Sequence, residues 1–205
     1  LQKLDRNTMT AAAASTAASI EGRGIVKTFG CFTAVDGLTL NIRSGEFVSL
    51  IGPSGCGKST FMLMAAGLLP VSRGELLVNG KPLTAPLTDI GIVFQDHLLL
   101  EFRTALENVL LQAEIRGLPL GPARERALEL FAKLGISHAV DRYPKQLSGG
   151  MRQRVSIARA LIHNPAVLMM DEPFGALDAL TRTQIRHDLE MLWMEQAKTV
   201  VFITH

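Results

Sequence analysis

The chain has 205 residues, 47% of them hydrophobic and 20% charged, with a formal net charge of +2. That is enough for one or two domains with a sizeable core. The charge argues neither for nor against nucleic acid, but Lys and Arg are spread without a basic run, and no nucleic-acid partner is expected. Cys31 and Cys56 make neither a disulfide framework nor a Cys-x-x-Cys metal pattern, and no stretch approaches the roughly 20 apolar residues of a spanning helix.

Residues 1–21 are rich in Ala, Thr and Ser and read as a disordered N-terminal extension without the apolar region of a secretory signal. Met9 reads as a translation start, with residues 1–8 as an upstream extension. Strands are expected over residues 24–29 and 38–42, the second with Leu38, Leu40 and Ile42 alternating against polar neighbours. Phe47-Val48-Ser49-Leu50-Ile51 is a third strand, followed by a glycine loop and a helix start at residues 61–66. Leu76-Leu77-Val78 ends at Asn79-Gly80, a tight hairpin signal. Ile90-Gly91-Ile92-Val93-Phe94 is a buried strand that stops at Gln95.

The period then becomes helical. Thr104 and Glu107 predict a capping box opening a helix that runs to about Arg116, and Gly117 and Pro119 break it. Pro122 is expected to open a second helix and Gly135 to end it. Ser148 can cap a third, running to Ile162. Residues 167–170 form a continuous apolar run, as in a central parallel strand. A helix over residues 180–195 and a strand over residues 199–203 close the pattern. A parallel α/β core is thus interrupted by a mostly helical insert, residues 95–164.

Three stretches carry chemistry. Gly52-Pro53-Ser54-Gly55-Cys56-Gly57-Lys58-Ser59-Thr60 lies between a strand and a helix, the setting of a phosphate-binding loop. Its glycines let successive N–H groups converge on one anion, and the helix N-terminus adds partial positive charge. Lys58 can reach the outer phosphates, and the Ser59 hydroxyl can ligate Mg²⁺. Asp171-Glu172 ends the strand 167–170, on the side of an open sheet that faces the ligand crevice. Asp171 can hold Mg²⁺, directly or through water, and Glu172 can polarise a water for in-line attack on a γ-phosphate. Ser148, Gly149 and Gly150 place a second set of bare N–H groups at a helix N-terminus. Two anion sites on different lobes imply that two chains share the nucleotides.

These motifs, in this order, resemble the ATP-binding subunit of an ABC transporter, over nearly everything from Gly24 to His205. The resemblance implies an α/β fold: a P-loop NTPase (RecA-like) parallel-sheet core, a helical signature subdomain and an N-terminal antiparallel β part. The expected domain is 22–205, with 22–94 and 165–205 as core lobe and 95–164 as helical insert. By this likeness Phe29 stacks on adenine, and Gln95 touches Mg²⁺ and the attacking water. Leu147-Ser148-Gly149-Gly150-Met151 is the signature that closes on the partner's nucleotide. Gly175-Ala176-Leu177-Asp178 is the loop that places Asp178 at the nucleotide, and His205 contacts the γ-phosphate. The implied cofactors are ATP and Mg²⁺. The implied partners are a second copy or a paired ATPase subunit, an integral membrane permease and, indirectly, a solute-binding protein. The implied location is the cytoplasmic face of the cell membrane.

Met151 stands where the wider superfamily usually has glutamine. Met there, and Phe94-Gln95-Asp96-His97-Leu98-Leu99-Leu100, resemble importers of nitrate, sulfonates, taurine and related solutes. Glu101-Phe102 replaces the Pro-Trp pair usual before Arg103-Thr104, in a segment that lines the permease groove of such transporters. Family members continue past the histidine matched by His205, so a C-terminal portion is expected to be missing. Two other readings stay open: a non-transport ABC ATPase, and a truncated nucleotide-binding fragment with weak turnover.

Overall fold

The computed structural model describes residues 19–173, Thr183 and residues 198–204. The expected helix over residues 180–195, Asp178 with its loop, and His205 lie outside the described residues. In chain order the elements are β1 (Ile20–Phe29), β2 (Phe32–Ile42), β3 (Phe47–Ile51), α1 (Lys58–Ala65), β4 (Arg73–Val78), β5 (Lys81–Pro82), β6 (Ile90–Val93), α2 (Ala105–Ile115), α3 (Leu120–Lys133), α4 (Gly149–Leu161), β7 (Val167–Asp171) and β8 (Thr199–Thr204). Two short 3₁₀ turns, Ser137–Ala139 and Pro144–Gln146, join α3 to α4.

Two sheets carry the fold. The antiparallel one has the order β2-β1-β4-β5, and the parallel one β3-β8-β7-β6. β1 begins at Ile20, so Ile20 and Glu21 are ordered in a strand rather than in the expected disordered extension. The reason is packing: Ile20 is wholly buried and pairs with Ile42 on one side and Val78 on the other. Asn79-Gly80 makes the expected tight turn, with φ of 52° and 73°.

The apolar run of β7 alternates between two cores. Leu168 and Met170 join α2, α3 and α4 on one face of the parallel sheet. Val167 and Met169 join α1 and the antiparallel sheet on the other. A strand covered on both faces has no room for polar alternation, and all five residues of β7 are buried. Of α1, Phe61, Met62, Met64 and Ala65 are buried. Each large side chain there contributes roughly 1.5–3 kcal/mol by leaving water.

The helices start and stop largely as their local chemistry dictates. Thr104 caps α2 with the full capping box: its Oγ1 accepts from Glu107 N–H, and Glu107 accepts from Thr104 N–H at 2.7 Å. Ser148 caps α4 by accepting from Met151 N–H. α3 opens two residues earlier than expected, at Leu120, with Pro122 third in the helix. Proline is tolerated there because the first helical N–H groups have no intrahelical partner. Asn108 is wholly buried and knots the preceding loop. It accepts from Leu100 N–H and donates to the carbonyls of Leu100, Arg103 and Thr104 at 3.0–3.1 Å.

Candidate nucleotide site

Parallel register brings the separate motifs to one edge. Ile51 at the end of β3 pairs with Thr204, and Asp171 at the end of β7 pairs with Ile203. β8 therefore separates the glycine loop from Asp171-Glu172 by two strand spacings, about 10 Å. β6 runs parallel on the far side of β7, with Val93 beside Met170, and delivers Gln95 to the same edge. This is the carboxyl end of the sheet, where open α/β sheets bind ligands.

A cavity of about 350 Å³ lies there. Its wall includes Phe29, Lys58, Ser59, Gln95 and Glu172, together with Ser54, Gly55, Gly57 and Thr60. The first turn of α1 has no side-chain cap and no acidic residue, so its N–H groups and positive end are left for an anion. Gly57 makes this geometry possible. It has φ of 93°, and a Cβ there would lie 2.3 Å from the Ala34 carbonyl oxygen. Lys58 Nζ donates to the carbonyls of Gly52 (2.6 Å) and Pro53 (2.9 Å), and lies 4.0 Å from Cys56 Sγ. Its ammonium is thereby held across the mouth of the loop. Cys56 is an exposed free thiol, as is Cys31.

Asp171 is buried, and its Oδ1 has no hydrogen-bond partner among the described residues. An orphaned buried carboxylate oxygen is costly unless a cation or its water completes it. Asp171 is not itself in the cavity wall, which Ser59 and Gln95 line beside its neighbour Glu172; oxygen donors of this kind suit Mg²⁺. Glu172 follows in the left-handed region, φ 44°, with its N–H donated to Ile203 O at 3.1 Å.

The structure brings Phe29, the loop, Gln95 and Glu172 together, but not the signature. Ser148, Gly149 and Gly150 open α4 and are absent from this cavity wall. Ser148 is exposed, and a Cβ on Gly149 would meet nothing within 4 Å. α4 is nevertheless tied to the segment after Gln95. His97 Nδ1 lies 2.7 Å from Gln153 Oε1, Arg159 donates to the carbonyls of Leu98 and His97, and Ser156 Oγ donates to His97 O. Burial holds the His97 imidazole below its ordinary pKa, so the neutral ring is favoured.

Sequence reasoning missed two wall residues, Phe32 and Ala34. Phe32 is 62% exposed and faces Phe29 in the β1–β2 register. A Phe-x-x-Phe spacing across Gly30-Cys31 was the available signal. A second cavity, of about 330 Å³, is lined by Leu68, Phe94, Leu98, Leu111, Gln112 and His163, among others. Phe102 stands on the knotted loop at 76% exposure. No helix among the described residues is long and apolar enough to cross a membrane.

Comparison with known proteins agrees with this geometry. The family model described as ABC transporter matches residues 35–175. A protein of Brucella abortus named as ATP-binding is 46% identical over 186 residues, covering 91% of this chain and 72% of its own. An aliphatic sulfonates import ATP-binding protein of Agrobacterium fabrum is 42% identical over 188 residues, covering 92% and 70%. Among solved structures, a dimeric bacterial ABC transporter cassette superposes with a TM-score of 0.83 at 37% identity, covering 91% of this chain and 88% of that one. A dimeric post-hydrolysis state bound to ADP and Pi gives 0.82 at 36%, with the same coverage. The chain belongs to the ABC transporter family, as an ATP-binding cassette of the kind that hydrolyses ATP.

Proposed function

We propose that this cassette powers an importer of a small solute of the nitrate, sulfonate or taurine kind, and that it works as a head-to-tail dimer on the cytoplasmic face of a membrane permease. The solute class is supported by the sulfonate-import relative and by Met151 in the signature. The observation that carries the dimer is that one cavity is lined by Phe29, Lys58, Gln95 and Glu172, while Ser148, which is exposed, and Gly149, with open space around it, are absent from its wall.

In this reading residues 22–94 and 165–205 form the core lobe and residues 95–164 the helical insert. Phe29 stacks on the base. The loop Gly52 to Thr60 wraps the phosphates, with Lys58 on the outer ones. Ser59, Gln95 and Asp171 would hold Mg²⁺, which when bound neutralises phosphate charge and acts as a Lewis acid. Glu172 takes a proton from water as the water oxygen bonds to the γ-phosphorus. The bond from that phosphorus to the bridging oxygen breaks, and ADP leaves with its electron pair. Ser148, Gly149 and Gly150 of the partner close on the γ-phosphate from outside. Asp178 and His205 keep the roles that the resemblance implies. The second cavity and the exposed Phe102 beside Glu101 receive the permease, which the strap from His97 to α4 links to the signature. A solute-binding protein acts on the far side.

Glu172→Gln tests the assignment. It is expected to bind ATP as the wild type does, to lower turnover by at least about 100-fold, the lower range for a general base, and to run as a dimer with ATP on gel filtration. Turnover close to wild type would refute the base. A variant that stays monomeric with ATP would refute the shared site.

A further inference from the structure

Lys27 is an unexpected place for a charge. It lies in β1, is only 8% exposed, and donates from Nζ to the Pro70 carbonyl at 2.7 Å. Its Nζ also stands 5.1 Å from the centre of the Phe29 ring, within the range of a cation–π contact. Phe29 is 49% exposed and lines the nucleotide cavity. The ring therefore has a buried cation against it while it borders the space where a base would lie.

We infer that Lys27 is a positioning residue for base stacking on Phe29. The inference rests on the proposed role of Phe29 and adds a part that role does not require. The buried stem and the Pro70 bond fix the ammonium, and the ammonium fixes the ring. A half-exposed aromatic near a strand end is otherwise free to turn about χ1 and χ2, and that freedom is lost on binding. The cation also draws π density toward itself, which leaves the ring a better partner for an electron-rich purine. The bland alternative is that Lys27 only ties β1 to the chain after α1, where Ser72 also accepts from Thr28 N–H.

The experiment separates these. Binding is measured by displacing a fluorescent ADP analogue with ATP and, separately, with inorganic tripolyphosphate, which has no base. Lys27→Gln keeps a donor for Pro70 but not the charge, and Lys27→Arg keeps the charge. Lys27→Met, which keeps the apolar stem, replaces the glutamine variant if that folds poorly, with the same outcomes. The expected result is a two- to five-fold loss of ATP affinity in Lys27→Gln, about the size of a partly exposed cation–π contact. Lys27→Arg stays near wild type, tripolyphosphate binding is unchanged in both, and turnover at saturating ATP is retained. Added to Phe29→Ala, the Lys27→Gln change has no further effect. If Phe29→Ala weakens ATP but Lys27→Gln does not, the inference is overturned and stacking survives. If Lys27→Gln weakens tripolyphosphate equally, Lys27 is merely structural and the inference is again overturned. If Phe29→Ala binds ATP normally, the stacking role itself is wrong.

Discussion

His97 Nδ1 lies 2.7 Å from Gln153 Oε1, and this contact fastens the segment after Gln95 to the middle of α4. Ser148 caps the same helix, so in the proposed reading one helix links Gln95 to the signature. His97→Ala removes the partner of a side chain that is 2% exposed. Leaving a buried amide unsatisfied costs about 1–3 kcal/mol, which urea denaturation would read. ATP affinity is expected to stay within about twofold, since His97 is absent from the cavity wall. Turnover is expected to fall about tenfold, one decade being about 1.4 kcal/mol of lost transition-state positioning. Phosphate release at saturating ATP checks it, and an unchanged rate would mean that the strap only stabilises the fold.

Gly57 and Gly149 make opposite predictions. A Cβ at Gly57 would strike the Ala34 carbonyl oxygen at 2.3 Å, at a φ of 93°. Gly57→Ala should destabilise the chain by about 3 kcal/mol and abolish nucleotide binding. At Gly149 a Cβ meets open space, and alanine suits a helix better than glycine by up to about 1 kcal/mol. Gly149→Ala should therefore be as stable as wild type or more so, and should bind ATP normally. Its turnover should fall at least about tenfold, because in the proposed dimer the added methyl stands where the partner's γ-phosphate has to approach. Urea midpoints, nucleotide binding and phosphate release together separate the two sites. Full turnover in Gly149→Ala would count against a site shared between chains.

The sequence exposed local chemistry and hid long-range contact. The glycine loop, the Asn79-Gly80 turn, the Thr104 capping box and the Ser148 cap are each set by residues within a few positions of one another, and each stands where expected. Phe32 was overlooked because its place opposite Phe29 is a matter of hairpin register, which period alone does not give. Ile20 was assigned to the extension because its partners, Ile42 and Val78, come from two distant strands. The strap from Arg159 to the Leu98 carbonyl spans 61 positions, and Lys27 reaches Pro70 across 43. No pattern of spacing predicts those.

His163 makes the fold sensitive to acid. It follows α4, and its Nε2 lies 3.2 Å from the Ile90 carbonyl oxygen while Nδ1 is buried without a hydrogen-bond partner among the described residues. Burial, with Arg116 adding repulsion, lowers its pKa to about 4; Lys198 also repels its cation, and Asp89 attracts it. The folded value lies below the ordinary one near 6.5, so the unfolded chain binds the proton more readily. Stability from this group is complete above pH 6.5 and is lost as pH falls toward 4. Allowing for solvent screening at a partly exposed ring, the loss is about 1–2 kcal/mol. Urea midpoints at pH 7.5, 6 and 4.5 should fall more steeply for wild type than for His163→Gln. Parallel curves would show that the ring is charged freely in the fold.

Asp171 sets stability against function. Its Oδ1 is buried and lacks a partner among the described residues, an arrangement that costs the apoprotein free energy. Asp171→Asn removes that buried charge without changing shape. The variant is expected to be as stable as wild type or more stable by about 1 kcal/mol, the usual gain when a functional strain is relieved. If Asp171 holds the cation, its loss should raise the Mg²⁺ concentration for half-maximal ATP turnover at least about tenfold, the low end for lost metal-site contacts. Binding of ATP measured in EDTA should not change, since Lys58 and the loop remain. A Mg²⁺ titration of phosphate release, with urea denaturation on the same preparations, reads both sides. An unchanged Mg²⁺ midpoint would take the metal away from Asp171, and a loss of stability would mean that its other oxygen carries a structural bond.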